Sequence, residues 1–158
     1  HKGALKGLKL AFVGDGNNMA NSLIVGCIKV GMHISVACPK AYQPHPDVLA
    51  FAKGYGGFEL VENAIDAVAG ADVVYTDVWA SMGQDGETAA RREAFKHHQV
   101  NSVLMKYAAP NAIVLHCLPA HRGEEITAAT FEAHAQEIFD QAENRLHAQK
   151  AVLMQTML

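Results

Sequence analysis

The sequence lacks the features by which chains bind membranes or nucleic acid. It has no apolar run near the ~20 residues that a bilayer-spanning helix needs, and its start, His1-Lys2-Gly3-Ala4, lacks the apolar core of a secretion signal. Its 13 basic residues are scattered singly and its net charge is −3 with histidine neutral, so no basic patch for a polyanion is present. We therefore expect a small soluble partner, with no nucleic acid and no membrane.

Cysteine is scarce as well. Cys27, Cys38 and Cys117 lie far apart, cannot all pair, and follow neither a CxxC pattern nor any metal-ligand spacing. This usage is typical of a reducing compartment and predicts a cytoplasmic protein.

The nine histidines raise the question of a metal site. Neighbouring residues on a helix point about 100° apart and cannot easily reach one ion, which favours a surface pair at His97-His98. The group His116, Cys117 and His121 has a catalytic explanation, given below. We expect no metal and no cofactor.

The chain has 158 residues, 50% of them hydrophobic, enough for one core but not for two. Short apolar runs ending in turn residues alternate with segments of helical spacing. We predict strands at residues 8–13, 33–38, 72–76 and 112–115, a short edge strand at 137–139, and helices at 62–69, 101–108, 127–135 and 145–158. A further helix is predicted to carry Met19 to Val30, and another to begin after Asp47 as its cap. Thr127 is the predicted cap of the helix at 127–135, and residues 83–92 are predicted to form a long loop. Near-continuous apolar strands predict an open parallel sheet flanked by helices on both faces, a Rossmann-like three-layer α/β domain.

Polar residues follow three of the predicted strands: GDGNN (14–18), DVWASMG (77–83) and HCLP (116–119). Ligands of such sheets collect at the carboxyl ends of the strands, so we expect these segments to converge. Asn18 would sit at a helix N-terminus, where free N–H groups and the helix dipole favour a carboxylate. Asp77 suits an ammonium group. With the Ser81 hydroxyl and the Met82 amide, they predict a cradle for the head group of an amino acid.

Several candidate residues also have a purely structural explanation. Asn and Asp after a strand often cap helices, Cys117 beside an apolar strand could be an inert buried residue, and Arg145 could be a solvated charge.

A dinucleotide site is a competing interpretation, since Gly14-x-Gly16 followed by Ala20 loosely matches the Rossmann fingerprint. Asp15 would repel a pyrophosphate, and the second strand leads to Lys40 where NAD would need an acidic residue. Lys40 could still meet a 2′-phosphate, which leaves an NADP-binding Rossmann domain as an alternative.

Four strings in order, GDGNNMANS, DVWASMG, HCLPAHRGEEI and AENRLHAQKA, resemble those of ornithine carbamoyltransferases, within the aspartate/ornithine carbamoyltransferase superfamily. The resemblance covers essentially the whole chain and corresponds to the second, ornithine-binding domain of that family. It implies that residues 1–158 are a single ornithine-binding domain.

The resemblance also implies roles for particular residues. Asn18 and the Met82 amide would bind the α-carboxylate of ornithine, and Asp77 and Ser81 its α-ammonium, under a closing loop at residues 79–83. Cys117, Leu118 and Arg145 would bind carbamoyl phosphate, with Arg145 polarising its carbonyl oxygen. The implied reaction is attack of the ornithine δ-amine on carbamoyl phosphate, giving citrulline and phosphate, with Cys117 and Asp77 as the linked proton acceptor.

The phosphate-binding signatures of that family, Ser-x-Arg-Thr-Arg and His-Pro-x-Gln, are not in this sequence. We therefore expect the carbamoyl-phosphate-binding domain to be absent and the fragment to be inactive alone. The resemblance implies trimers for the whole protein, whereas this fragment would be a monomer or weakly associated. Related enzymes act on putrescine, acetylornithine or aspartate, but Asp77 with Ser81-Met82-Gly83 favours a free α-amino group. A role only in folding or assembly is the non-enzymatic alternative.

Overall fold

In the computed structural model, which describes residues 1–80 and 88–157, five strands form one parallel sheet. The strands are β1 (Lys9–Val13), β2 (His33–Ala37), β3 (Phe58–Val61), β4 (Val73–Thr76) and β5 (Ile113–His116). Their order is β3-β2-β1-β4-β5, and every pairing is parallel. This confirms the predicted open parallel sheet.

Helices follow each of these strands. They are α1 (Asn18–Val30), α2 (Pro46–Ala52), α3 (Ala64–Val68), α4 (Thr88–Phe95), α5 (Ala128–Ala133) and α6 (Ala135–Met157), with 3₁₀ turns at Lys40–Tyr42 and Leu104–Tyr107. Side-chain caps begin several of them: Asn17 accepts from the Met19 amide, and Thr127 accepts from the Thr130 amide as predicted.

Alternation along the strands divides the core between the two faces of the sheet. On β1, Ala11 and Val13 face one cluster, which includes residues of α3, α5 and α6. Leu10 and Phe12 face the other, which includes residues of α1 and α2. The three-layer arrangement follows from strands that are apolar on both sides.

The sequence analysis missed one strand and predicted another wrongly. Strand β3 was not predicted, because its sequence FELV is short, contains a charge, and is only partly buried at the sheet edge. The edge strand predicted at residues 137–139 lies inside α6. Ile138 is fully buried there, and a segment of three residues is too short to distinguish a strand from one helical turn.

Three local predictions also differ from the structure. The cap of α2 is His45, not Asp47: its ring nitrogen accepts from the Asp47 amide because Pro46 takes the first helical position. Residues 101–108 form only the 3₁₀ turn, preceded by a turn in which Asn101 Oδ1 accepts two amide hydrogens. Residues 88–92 of the predicted loop belong to α4, and residues 83–87 lie outside the described range.

The last helix, α6, begins ten residues before the predicted start at 145, packs against β5 through its first turns, and then runs on exposed. Its exposed apolar side chains include Leu146, Val152, Leu153, Met154 and Met157. None of the described helices has the combination of length and hydropathy needed to cross a bilayer. An apolar face of this kind is typical of a helix that packs against something else.

We expect the exposed part of α6 to fray or to self-associate when this chain is studied alone, because only Ile138 of the helix is fully buried. Hydrogen exchange read by mass spectrometry should show rapid exchange at residues 146–157 and slow exchange in α1, with the association state measured on the same sample. Strong protection along all of α6 in a monomeric sample would contradict this expectation.

Candidate active site

The carboxyl ends of three strands lie at one level. Val13 pairs with Thr76, and Thr76 pairs with His116. Gly14, Asp77 and Cys117 therefore leave the sheet side by side. The order of the strands reverses between β1 and β4, and that is where ligands of open α/β sheets bind. The predicted convergence of the three polar segments follows from this register.

Asp77 and Cys117 are in direct contact. The Cys117 sulfur donates to Asp77 Oδ1 at 2.9 Å, and the Val78 amide donates to the same oxygen at 2.7 Å. Burial first, and then the hydrogen bond and charge of Asp77, raise the pKa of Cys117 to about 12. At neutral pH Cys117 is therefore a thiol that donates its proton toward the carboxylate.

Two further polar groups adjoin this pair. Tyr75 is 3% exposed, and Cys117 packs against the cluster that contains it. Gln141 of α6 donates from Nε2 to the Tyr75 hydroxyl at 2.6 Å. Burial raises the pKa of Tyr75, which keeps the phenol neutral. The sequence analysis missed both residues, because Tyr75 fits the strand pattern and Gln141 belongs to no polar cluster in the sequence.

A fully buried pair, His116 and Glu125, supports the turn after β5. The Leu118 amide donates to His116 Nδ1 at 2.9 Å, so Nε2 carries the proton and donates to Glu125 Oε1 at 3.2 Å. The same oxygen accepts the His121 amide at 2.5 Å. Leu118, which precedes a cis peptide to Pro119, has φ 57°, a left-handed conformation that needs such support in a branched residue.

Sequence reasoning missed Glu125. It is the second glutamate of the charged string RGEE, which is typical of a solvated surface, yet it is 0% exposed. Only the fold brings it under His116.

Asn18 is the first residue of α1 and is exposed, while Asn17 is the cap. The predicted position of Asn18 at a helix N-terminus is confirmed. Next to it, Asp15 is buried with Arg91 of α4, whose Nη1 lies 2.6 Å from Asp15 Oδ2 and 2.9 Å from the Trp79 carbonyl oxygen. Burial raises the pKa of Asp15, the pairing with Arg91 opposes the rise, and the nearby charge of Asp77 adds to it.

The Gly-x-Gly pattern has a structural explanation. A Cβ at Gly16 would overlap the backbone of Tyr42, Gln43 and Pro44, and the Gly16 amide donates to the Tyr42 carbonyl at 2.8 Å. The loop after β2 therefore packs directly on this turn. Lys40, the residue that an NADP site would use, pairs instead with Glu62 at 3.2 Å.

The remaining predicted site residues differ in how closely they approach this cluster. Leu118 is in the turn itself, next to Cys117. Arg145 is exposed on α6, one helical turn beyond Gln141. Ser81 and Met82 lie outside the described residues, as does Gly83, whereas Trp79 before them is buried and stacks on Phe95.

Metal-ligating atoms of Asp77, His116 and Cys117 lie within 4.8 Å of one another. Both ring nitrogens of His116 are engaged, by the Leu118 amide and by Glu125. These hydrogen bonds account for the orientation of the His116 ring.

A separate groove of about 790 Å³ lies between α3 and the 3₁₀ turn Leu104–Tyr107, and it contains none of the predicted site residues.

Residues 6–156 match the family model described as "Aspartate/ornithine carbamoyltransferase, Asp/Orn binding domain". The chain is 56% identical to an ornithine carbamoyltransferase of Symbiobacterium thermophilum over 96% of its length and 50% of the relative. It is 49% identical to an anabolic ornithine carbamoyltransferase of Pyrococcus furiosus over 99% of its length and 51% of the relative. The crystal structure of ornithine carbamoyltransferase from Gloeobacter violaceus superimposes with a TM-score of 0.86 at 50% identity, covering 96% of this chain and 52% of that one. The chain thus spans about half the length of the curated relatives it matches.

Replacing Glu125 should destabilise the turn that carries Cys117. Glu125→Ala leaves the His116 Nε2–H and the His121 amide without their acceptor in a buried site, which costs about 2–5 kcal/mol in the free energy of unfolding. Denaturant unfolding of both proteins measures the loss. The control is Glu124→Ala, which removes only the surface ion pair with Arg92 and should cost about 1 kcal/mol or less. Equal losses for the two variants would contradict the role given to Glu125.

Proposed function

Since the chain belongs to the aspartate/ornithine carbamoyltransferase family, we propose that it is the ornithine-binding half of an ornithine carbamoyltransferase. The observation that carries the proposal is the Asp77–Cys117 contact at the carboxyl edge of the sheet, beside the start of α1. The names of the relatives support ornithine as the substrate. Because the chain spans half of those relatives, we assign the capture of the phosphate group of carbamoyl phosphate to a second half outside residues 1–158.

The edge of the sheet offers groups of opposite polarity to an amino acid. Asn18 at the start of α1 and the Met82 amide would bind the α-carboxylate, where the helix dipole favours an anion. Asp77 and Ser81 would bind the α-ammonium. Putrescine, which lacks the α-carboxylate, would leave the groups at the start of α1 without their anionic partner.

The reaction requires a neutral nucleophile. The δ-amine has a pKa near ~10 and is mostly protonated at neutral pH, so it must lose a proton before it attacks the carbonyl carbon of carbamoyl phosphate. In the proposed relay the amine proton passes to the Cys117 sulfur while the thiol proton passes to Asp77 Oδ1, along the 2.9 Å contact. Cys117 ends as a thiol, as it began, and Asp77 holds the proton.

The carbonyl oxygen of carbamoyl phosphate gains negative charge as the tetrahedral intermediate forms. Arg145 would stabilise that charge, and Leu118 would line the carbamoyl group beside Cys117. Phosphate then leaves and citrulline remains. Arg145 is exposed in this half, which leaves its guanidinium accessible to a ligand held by another domain.

The same family membership supports proposals about the whole protein. We expect trimers built largely through the other half, and we expect the exposed face of α6 to pack against that half. The relative named anabolic supports a role in arginine biosynthesis. Cys27 and Cys38 are buried free thiols whose pKa burial raises to about 11 and about 12, as suits a cytoplasmic protein.

Isothermal titration of this chain with L-ornithine tests the amino-acid site. We expect binding, even at millimolar strength, that is lost in Asp77→Ala and absent with putrescine, because the variant removes the partner of the α-ammonium and putrescine lacks the α-carboxylate that Asn18 would bind. The matched control is Asp72→Asn, at the opposite end of β4, whose side chain accepts from the Lys9 amide. Binding of putrescine as strong as that of ornithine would contradict the proposed substrate.

Arg145→Gln in the whole protein tests the carbamoyl site. Loss of the positive charge should lower kcat about 10²-fold or more and change the KM for ornithine little, since Arg145 is assigned to the other substrate. Steady-state kinetics with both substrates measure this. Arg92→Gln, which removes a surface ion pair with Glu124, is the control. An unchanged kcat in Arg145→Gln would refute the assignment.

A further inference from the structure

A chain of polar groups leads from the last helix to the candidate proton acceptor. Gln141 of α6 contacts the hydroxyl of Tyr75 on β4, Tyr75 lies beside Cys117 after β5, and Cys117 contacts Asp77 after β4. Tyr75 pairs with Leu115, two residues before Cys117, so Tyr75 and Cys117 are diagonal neighbours on one face of the sheet. Cys117 packs there against the cluster that contains Tyr75.

The direction of the hydrogen bonds follows from the number of protons. A phenol hydroxyl has a single proton and accepts through its lone pairs. Gln141 Nε2 donates to the Tyr75 oxygen at 2.6 Å, so the Tyr75 proton remains available for another acceptor. The Cys117 sulfur is on the same face of the sheet, and its own proton points toward Asp77.

We propose that Tyr75 and Gln141 are positioning residues for Cys117: Gln141 fixes the Tyr75 hydroxyl so that it donates to the Cys117 sulfur and holds that sulfur while its proton is exchanged. The proposal rests on the function proposed above. It assigns a task to two residues that neither the sequence motifs nor the reaction itself pointed to.

The benefit is electrostatic. During the relay the sulfur gains negative charge as its own proton moves to Asp77 and the proton of the amine is still in transit. Burial and the charge of Asp77 both oppose that charge, and they raise the pKa of Cys117. The Tyr75 hydroxyl acts in the other direction, because a donor to the charged form favours it.

Packing alone does not account for these contacts. Tyr75 stacks on Phe12 at 6.1 Å between ring centroids, and a phenylalanine would retain that contact. What distinguishes tyrosine is the hydroxyl, which is buried and accepts from the Gln141 amide. Removing the hydroxyl should therefore affect the chemistry of Cys117 more than the fold.

The test is the rate at which iodoacetamide alkylates Cys117 in the whole protein, followed by mass spectrometry from pH 7 to 10. Only the thiolate reacts, so at a pH below the pKa of the thiol, raising that pKa by one lowers the alkylation rate about tenfold. Tyr75→Phe should slow alkylation about tenfold across this range, since a charge-assisted hydrogen bond is lost. Buried Cys27 and Cys38 report whether the fold has opened.

The matched control is Tyr55→Phe, which removes a hydroxyl bonded to the Met32 carbonyl oxygen at 3.0 Å, away from this cluster. It should leave alkylation of Cys117 unchanged. Equal alkylation rates of Cys117 in Tyr75→Phe and in the protein without this substitution, with Cys27 and Cys38 still protected, would overturn the proposal.

Gln141→Glu tests the orientation of the hydroxyl. A carboxylate would accept the Tyr75 proton and turn it away from the sulfur, so this variant should slow alkylation about as much as Tyr75→Phe. The double variant should then be no slower than Tyr75→Phe alone, because the two residues act through one hydrogen bond. If Gln141→Glu slows alkylation equally in a protein that already carries Tyr75→Phe, the added charge acts directly on Cys117 and the proposed role of Gln141 is refuted.

Alkylation needs neither substrate, so its outcome is independent of the proposed function. If the whole protein carbamoylates ornithine but its Tyr75→Phe variant keeps both its alkylation rate and its kcat, the proposed function is supported and the positioning role is refuted. If the whole protein has no activity toward ornithine but its alkylation rate falls in Tyr75→Phe, the hydrogen-bond network is supported and the proposed function is refuted.

Discussion

Parallel pairing in register holds Val13, Thr76 and His116 at one level of the sheet, and the candidate site depends on that alignment. Each strand ends there, so the next residues emerge together where the strand order reverses. A shift of one residue in either pairing would turn its side chains to the opposite face. Both faces of β1 and β4 are packed, so such a shift would exchange side chains between two separate clusters.

Buried polar groups make up much of the site. An unpaired polar atom in such a position is costly, and the protein limits that cost by hydrogen bonds among the groups themselves. Glu125 supports His116, His116 supports the Leu118 amide, and the turn then presents Cys117 to Asp77. On the other side, Arg91 compensates Asp15, which leaves Asp77 as the carboxylate beside the thiol. The result is a rigid set of donors and acceptors, which suits a site that must orient a small zwitterion.

The last helix, α6, is buried at its beginning and exposes apolar side chains toward its end, which is unusual for a self-contained domain. Its first turns bury Ile138 and place Gln141 on Tyr75, while its later turns expose apolar side chains and carry Arg145. The relatives are about twice as long as this chain, and a helix with one buried and one exposed section is suited to connect two halves of such a protein. In the proposed enzyme, the same helix would join the ornithine site to the carbamoyl site.

The sequence by itself determined the α/β class, the parallel sheet, the position of Asn18 at a helix start and the family. These depend on local information: apolar runs, turn residues, and strings such as HCLPAHRGEEI that are specific in themselves. Only the tertiary structure decided that Glu125 is buried, that Gly16 is needed for the loop at Tyr42–Pro44, and that Gln141 contacts Tyr75 beside Cys117. Partners 66 residues apart leave no periodic signal, because their contact depends on how strands and helices pack and not on the spacing of residues along the chain.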